Sequence, residues 1–257
     1  MRLSLVLTIA FAAAACTRGP GAAVRGLSGK VRWQWQLSGV LDVSVDADAF
    51  DLDLFDAPDE AIASLRGSGR YVICYFSAGS LESWRPDAAS IPSEAVGSQL
   101  AGWPGERWLD VRHPAVRALA TARLDRARAR GCDAVEPDNV DAYQNSSGFP
   151  LTELDQLAFN RFLSAQAHAR SLGIALKNDV DQIAALEPDF DFALNEECLR
   201  FSECETLGPF LAAGKAVLHV EYPNGTQGPD LCGAASAAGF STLLKNLSLD
   251  AWRYECP

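Results

Sequence analysis

The chain has 257 residues, 48% of them hydrophobic, and carries 33 acidic against 22 basic side chains, a formal net charge of -11. That length and apolar content build one large core. An acidic balance argues against nucleic acid as a partner; it is compatible with a cationic ligand, though plain solubility accounts for it without any partner. No Gly-rich dinucleotide fingerprint follows the early strands and no CxxC pair or histidine cluster is present, so neither a cofactor nor a metal is expected.

Residues 1–15 are predicted to be a secretory signal: Arg2 is the positive start, 3–12 an apolar stretch too short for a convincing membrane span, and 13–15 are alanines. Ala13-Ala14-Ala15-Cys16 is similar to a bacterial lipobox, although Leu is usual at the Ala13 position. Cys16 is therefore the expected lipidated N-terminus of the mature chain, with unlipidated cleavage as the rival. The protein is expected to be exported, as a cell-envelope lipoprotein or otherwise secreted, to meet the membrane only through that lipid, and to be a monomer. Residues 16–32 are small, polar and Gly-rich and read as a flexible tether to a single domain over 33–257.

Short apolar runs then alternate with helical patterns. Strands are predicted at 33–37, 41–46, 70–76, early in the stretch 132–143, and at 174–178, 190–195, 216–222 and 240–244. Helices are predicted at 59–65, from Pro114 to Arg130 with Gly131 as the stop, after Thr152 through a T-E-L-D capping box, and in shorter form at 181–186, 205–213 and 234–238. A long excursion over 77–112 carries Trp84, Trp103 and Trp108, which either stack on a ligand or pack the loop onto the domain. About eight strands alternating with helices point to a parallel sheet, and count and length fit a single-domain (β/α)8 TIM barrel. Beyond Cys16 six cysteines remain. Cys198 and Cys204 are spaced to close a small loop, Cys232 and Cys256 to tie down the C-terminus, and Cys74 and Cys132 read as buried thiols.

The chemistry collects at the predicted strand ends. Four carboxylates lie between Asp133 and Asp141 in the sequence DAVEPDNVD, at the end of a strand. One acidic strand end alone is more often an ordinary turn than a site. Here, however, Asp46 ends the second strand, Tyr75 the third, Glu136, Asp138 and Asn139 the fourth, Lys177 and Asn178 the fifth, Asn195 and Glu196 the sixth, and Glu221 and Tyr222 the seventh. In a (β/α)8 barrel those ends converge on one mouth. Several acids, amides and aromatics around one lysine suit a sugar, and glycoside hydrolysis needs two carboxyls flanking the bond. Lys177 either contacts substrate or neutralises Asp138 and Asp179. His219 reads as a core or supporting residue.

The same residues resemble glycoside hydrolase family 114, the endo-α-1,4-polygalactosaminidase-like barrels. The likeness runs in order through Trp35-Gln36-Leu37, Tyr75-Phe76-Ser77-Ala78-Gly79-Ser80, Glu82-Ser83-Trp84-Arg85, Trp108-Leu109-Asp110, Glu136-Pro137-Asp138-Asn139, Leu176-Lys177-Asn178-Asp179, Asn195-Glu196-Glu197-Cys198 and Val220-Glu221-Tyr222. The resemblance implies an exported endo-glycosidase cleaving partly deacetylated α-1,4-linked N-acetylgalactosamine polymers of biofilm exopolysaccharide, a cationic polysaccharide substrate. It maps the catalytic pair onto Asp138, as nucleophile, and Glu196, as general acid/base, in a retaining mechanism. Asp46, Tyr75, Glu136, Asn139, Lys177, Asn178, Asn195, Glu221 and Tyr222 are the expected substrate-binding residues. The alternatives are a non-catalytic sugar-binding barrel and a glycosidase of this fold acting on another amino sugar or α-linked glycan.

Overall fold

Alternation along the strands sorts their side chains onto two faces. Trp33, Trp35, Ala49, Tyr71, Ile73 and Ala134 belong to one buried cluster, while the intervening Phe50, Leu52, Val72 and Val135 join the apolar faces of the helices in another. A parallel sheet buried on both faces in this way closes on itself with helices outside. The computed structural model describes residues 26–223 and 228–257, with backbone alone for 228–230. The predicted signal, Cys16 and the first part of the tether lie outside the described residues.

The elements are β1 (Trp33–Gln36), β2 (Ala49–Asp53), α1 (Asp59–Gly67), β3 (Tyr71–Ser77), β4 (Ser80–Glu82), β5 (Val96–Gln99), β6 (Glu106–Leu109), α2 (Pro114–Arg130), β7 (Ala134–Asp138), α3 (Glu153–Ala169), β8 (Gly173–Lys177), α4 (Ile183–Leu186), β9 (Phe192–Glu196), α5 (Cys198–Phe201), α6 (Gly208–Ala212), β10 (Val217–Glu221), α7 (Gly228–Ala238), β11 (Ser241–Lys245) and β12 (Arg253–Glu255). The main sheet runs β1-β2-β3-β7-β8-β9-β10-β11-β12, parallel from β1 to β11, with β12 antiparallel at the end. The seam is closed by single bonds: Val31 N donates to Ser241 Oγ (2.8 Å), Gln34 Nε2 to the Ala251 carbonyl (3.0 Å) and Leu37 N to the Leu249 carbonyl (2.9 Å). This is a (β/α)8 barrel.

Local chemistry explains the helix ends. Pro114 opens α2, and Gly131, in the left-handed region at φ 87°, closes it. The predicted capping box opens α3: Thr152 Oγ1 accepts from Asp155 N, and Asp155 Oδ2 accepts from Thr152 N. Among the described residues no helix is long and apolar enough to cross a membrane.

Three expectations change. The second strand is not 41–46 but β2. Asp42, Val43 and Ser44 instead form an exposed turn in which Asp42 Oδ1 accepts from Ser44 N, and Asp42 N donates to Gln36 Oε1. Cys74 and Cys132 are bridged rather than free thiols (Cα–Cα 6.0 Å), because parallel pairing of β3 with β7 brings Cys132, just before β7, alongside Cys74. The other two bridges are Cys198–Cys204 and Cys232–Cys256. Finally, residues 26–32, read as tether, lie against the barrel, where Ser28 bridges Lys215 and Arg32 pairs with Asp48.

The excursion after β3 is itself folded, as a small antiparallel sheet in the order β4-β6-β5. A buried arginine pins it to the barrel: Arg85 binds Glu82 beside it and Asp53 at the end of β2, and its guanidinium lies 4.9 Å from the Phe55 ring.

Candidate active site

The inward residues of β7, β8 and β9 nearest the C-terminal rim are Asp138, Lys177 and Glu196. Each strand ends in a sharp turn: Asn139, Asn178, Asp179 and Glu197 all have positive φ. Left-handed backbone at non-glycine residues costs roughly 1–3 kcal/mol each and persists only where the surroundings enforce it. Here it aims the side chains. Asn139 N donates to Asp138 Oδ1 (2.8 Å), and Asn178 Oδ1 accepts from Glu196 N (3.0 Å). Gly79 lets the β3 turn lie against this corner, since a Cβ there would overlap the Asn139 carbonyl.

Lys177 organises the site. Its ammonium is buried and lies 2.9 Å from Glu136 Oε1, 3.2 Å from Asp138 Oδ1 and 3.1 Å from Glu196 Oε2. Burial works against its charge, but Asp138, Glu136 and Glu196 overrule that and hold its pKa well above the ordinary lysine value. The ammonium donates to Glu136 and forms ion pairs with Asp138 and Glu196. Lys177 thus pairs with Asp138 but not with Asp179, whose Oδ2 accepts from Asn160 Nδ2.

Tyrosines hold the outer oxygens. Tyr75 Oη donates to Asp138 Oδ2 (3.1 Å), and Tyr222 Oη donates to Glu196 Oε1. Burial first, then the adjacent carboxylate, raises both phenols, so each remains a donor. Glu136 lies beneath, fully buried, with Trp35 Nε1 on its second oxygen (3.1 Å).

The mouth opens into a cleft of about 900 Å³. Trp84, Trp103 and Trp108 all line it; the first two are 54% and 47% exposed, whereas Trp108 is buried. Asp53, Asp56, Glu106, Asp141, Asp179 and Glu203 also line it.

Several residues expected at the mouth are elsewhere. Asp46 lies before the N-terminal end of β2, exposed and paired with Arg32, because the second strand is a different segment. Glu221 and Asn195 have the opposite parity to Tyr222 and Glu196 and do not line the cleft. Glu221 accepts from Leu199 N at the start of α5 and from His219. Asn195 is fully buried and donates to Asn178 Oδ1, backing the residue that supports Glu196. His219 faces Cys198, Thr242 and Glu221, outside the barrel interior. Cys198, Cys204 and His219 lie close together, but the cysteines are bridged to each other and offer no thiolate to a metal.

The reading of single strand ends passed over Asp51 and Asp53, lost with the misplaced strand, and the floor role of Trp35. A signal was present: AFDLD in β2 repeats the pattern of AVEPD in β7, with acids at alternate inward positions.

Burial has a measurable consequence. Glu136, Glu106 and Asp179 are held at about 7 and Asp141 at about 6, in each case chiefly by desolvation. A carboxyl whose folded pKa exceeds its unfolded value loses stability as pH rises between the two. His168, raised by Asp191, also loses its contribution as pH rises through its folded pKa. The acids held low, such as Asp48, Asp110 and Asp155, act only below the ordinary Asp value near pH 4. The melting temperature is expected to fall between about pH 5 and about pH 7.5; calorimetry showing a rise across that interval would contradict this assignment.

Two carboxylates face each other across the C-terminal mouth of a (β/α)8 barrel, each steadied by its own tyrosine and both by one lysine, which is the arrangement of a glycoside hydrolase. The chain belongs to glycoside hydrolase family 114, whose sequence profile matches residues 13–257. It is similar to Ega3 of Aspergillus fumigatus, solved in complex with galactosamine, at 40% identity over 92% of this chain and 99% of that one, with a TM-score of 0.88. The glycoside hydrolase domain of PelA from Pseudomonas aeruginosa has the same fold at 14% identity, covering 87% of this chain and 97% of that one, with a TM-score of 0.70. An uncharacterized protein of Deinococcus radiodurans is 27% identical over 87% of this chain and 83% of its own length.

Proposed function

We propose that the protein is an exported endo-glycosidase that hydrolyses α-1,4-linked galactosamine and N-acetylgalactosamine polysaccharide with retention of configuration, with Asp138 as nucleophile and Glu196 as general acid/base. The observation that carries the mechanism is the shared ammonium. Asp138 Oδ1 and Glu196 Oε2 each lie within 3.2 Å of Lys177 Nζ, so they are no more than twice that distance apart. So short a span between the nearest oxygens is compatible with the roughly 5–5.5 Å separation of a retaining pair.

In the first step Asp138 attacks the anomeric carbon while Glu196 gives its proton to the departing oxygen. In the second, Glu196 takes a proton from water, which attacks the glycosyl–Asp138 ester and frees the carboxylate. Tyr75 and Lys177 hold the nucleophile in place through both steps, and Tyr222 holds the acid/base.

The substrate class is supported by galactosamine in the 40% identical relative and by the cleft's own charge. Arg85 is spent on Asp53 and Glu82, and Lys177 on three acids. Asp141 and Glu203 are thus left facing the cleft for the ammonium groups of deacetylated units. Trp84 and Trp103 offer ring faces to the chain. Three disulfides support an exported protein, and lipidation at Cys16 is the proposed anchor. The test is a panel of α- and β-linked hexosamine polymers at graded acetylation, with products sized and their anomeric configuration read by NMR at early times. Short α-anomeric products from the α-1,4-galactosamine polymer are expected. Cleavage confined to a β-linked glucosamine polymer would overturn the substrate, and β-anomeric first products the mechanism.

A further inference from the structure

Asp51 lies one inward position below Asp53 on β2, in register with Trp35 of β1 and Ile73 of β3. It is completely buried, and neither carboxyl oxygen accepts a well-formed hydrogen bond. The side chain that meets it is the carboxyl of Glu136, itself completely buried. Two buried carboxyls in contact cannot both ionise; one proton must lie between them.

The donors decide which residue carries it. Glu136 receives Lys177 Nζ on one oxygen and Trp35 Nε1 on the other, a set that serves an anion. Asp51 has no such pair of donors. A neutral Asp51 needs only an acceptor for its O–H, and Glu136 supplies one. The charged groups that face Asp51 are Glu136 of β7 and Lys177 of β8; β1 and β3 present Trp35 and Ile73.

Building on the proposed function, we infer that Asp51 is a positioning residue for the reaction: as a neutral acid it donates to Glu136, and through Glu136 it fixes the Lys177 ammonium between Asp138 and Glu196. Burial first, then the neighbouring Glu136, holds Asp51 well above the usual carboxylate range, in keeping with this. Without the donor from below, Glu136 loses one of three anchors, and the lysine that spaces the catalytic carboxylates loses its seat. Neither Asp51 nor Glu136 lines the cleft, so the effect is expected on kcat and not on KM.

The test compares Asp51→Asn, which keeps an N–H donor toward Glu136 and cannot ionise, with Asp51→Leu, which keeps the bulk and has no donor. Kinetics on the galactosamine polymer are followed across pH, together with infrared carbonyl spectra of the intact protein. Asp51→Leu is expected to lower kcat about 100-fold at constant KM, the size of effect that follows from leaving a buried polar partner unmet. Asp51→Asn is expected to restore kcat to within about threefold with no shift of the pH profile, since no charge is removed. The wild type minus Asp51→Asn infrared difference at neutral pH is expected to show the C=O band of a neutral carboxylic acid. A carboxylate band in that difference, or equal losses in both variants, would overturn the inference. If Asp51→Leu does not fold, the Asn variant and the infrared difference decide. If the wild type leaves the polymer intact, the proposed substrate fails, and the infrared difference still locates the proton.

Discussion

Asp138→Asn is expected to lower hydrolysis of the polymer by roughly 10⁴-fold or more, because an amide cannot replace the proposed nucleophile in forming the covalent bond to the sugar. The fold should survive the change. The amide matches the carboxylate in shape, one oxygen still accepts from Tyr75 or Asn139, and Lys177 keeps Glu136 and Glu196 as partners. The melting temperature should therefore move by only a few degrees, the shift that about 1 kcal/mol produces in a domain of this size. Glu196→Gln should be as inactive on the polymer, for a different reason. It removes the proton that the leaving sugar needs, and an aryl galactosaminide with an acidic phenol as leaving group does not need that proton. On such a substrate Glu196→Gln should keep a fast first step while Asp138→Asn stays inactive. Pre-steady-state release of the phenol measures this directly. The opposite pattern would exchange the two roles, and polymer cleavage at the wild-type rate by Asp138→Asn would remove this residue from the chemistry.

The barrel was legible because most strands carry an uninterrupted apolar run, and a parallel strand buried on both faces needs one. β2 was illegible for the same reason. All five of its residues are buried, yet two of them are Asp51 and Asp53, which suppress the apolar signal. Meanwhile the nearby LDVSVD alternates like a strand and is in fact a turn closed by the Asp42 side chain. Asp46 was misplaced with it. Asn195 and Glu221 are a different case. Period-two alternation already separates them from Glu196 and Tyr222, so proximity to a strand end was too coarse a criterion and parity the finer one. The partition of Lys177 could not be read from sequence. Its three partners come from two strands, and only the fold brings all three within 3.2 Å of the ammonium. The pairing of Cys74 with Cys132 likewise depends on β3 and β7 being neighbours across an excursion that holds a sheet of its own.

Lys177→Met should be the most damaging change to the folded state among the inward-facing residues. Methionine fills most of the lysine volume, so packing against Trp35, over whose ring the ammonium lies at 4.7 Å, is largely kept. What is lost is the single positive charge among Glu136, Asp138 and Glu196. Removing one partner of a buried ionic cluster destabilises by about 3–5 kcal/mol, because the remaining charges lose their compensation. The loss should depend on pH in a defined direction. In the wild type, burial holds Glu136 up at about 7 even though Lys177 pulls it down. Without the lysine it must rise further. A carboxyl with a raised folded pKa costs nothing while both states are protonated and destabilises progressively as pH climbs from its unfolded value toward its folded one. The stability difference between wild type and Lys177→Met should therefore be small near pH 4.5 and widen toward pH 8, as read from urea unfolding at a series of pH values. Activity should be lost at every pH, since the carboxylates would no longer be spaced by a common cation, and acid should restore the fold without restoring hydrolysis. A deficit of equal size at both ends of the range would mean that Lys177 contributes packing alone and that the three acids are neutralised by other means.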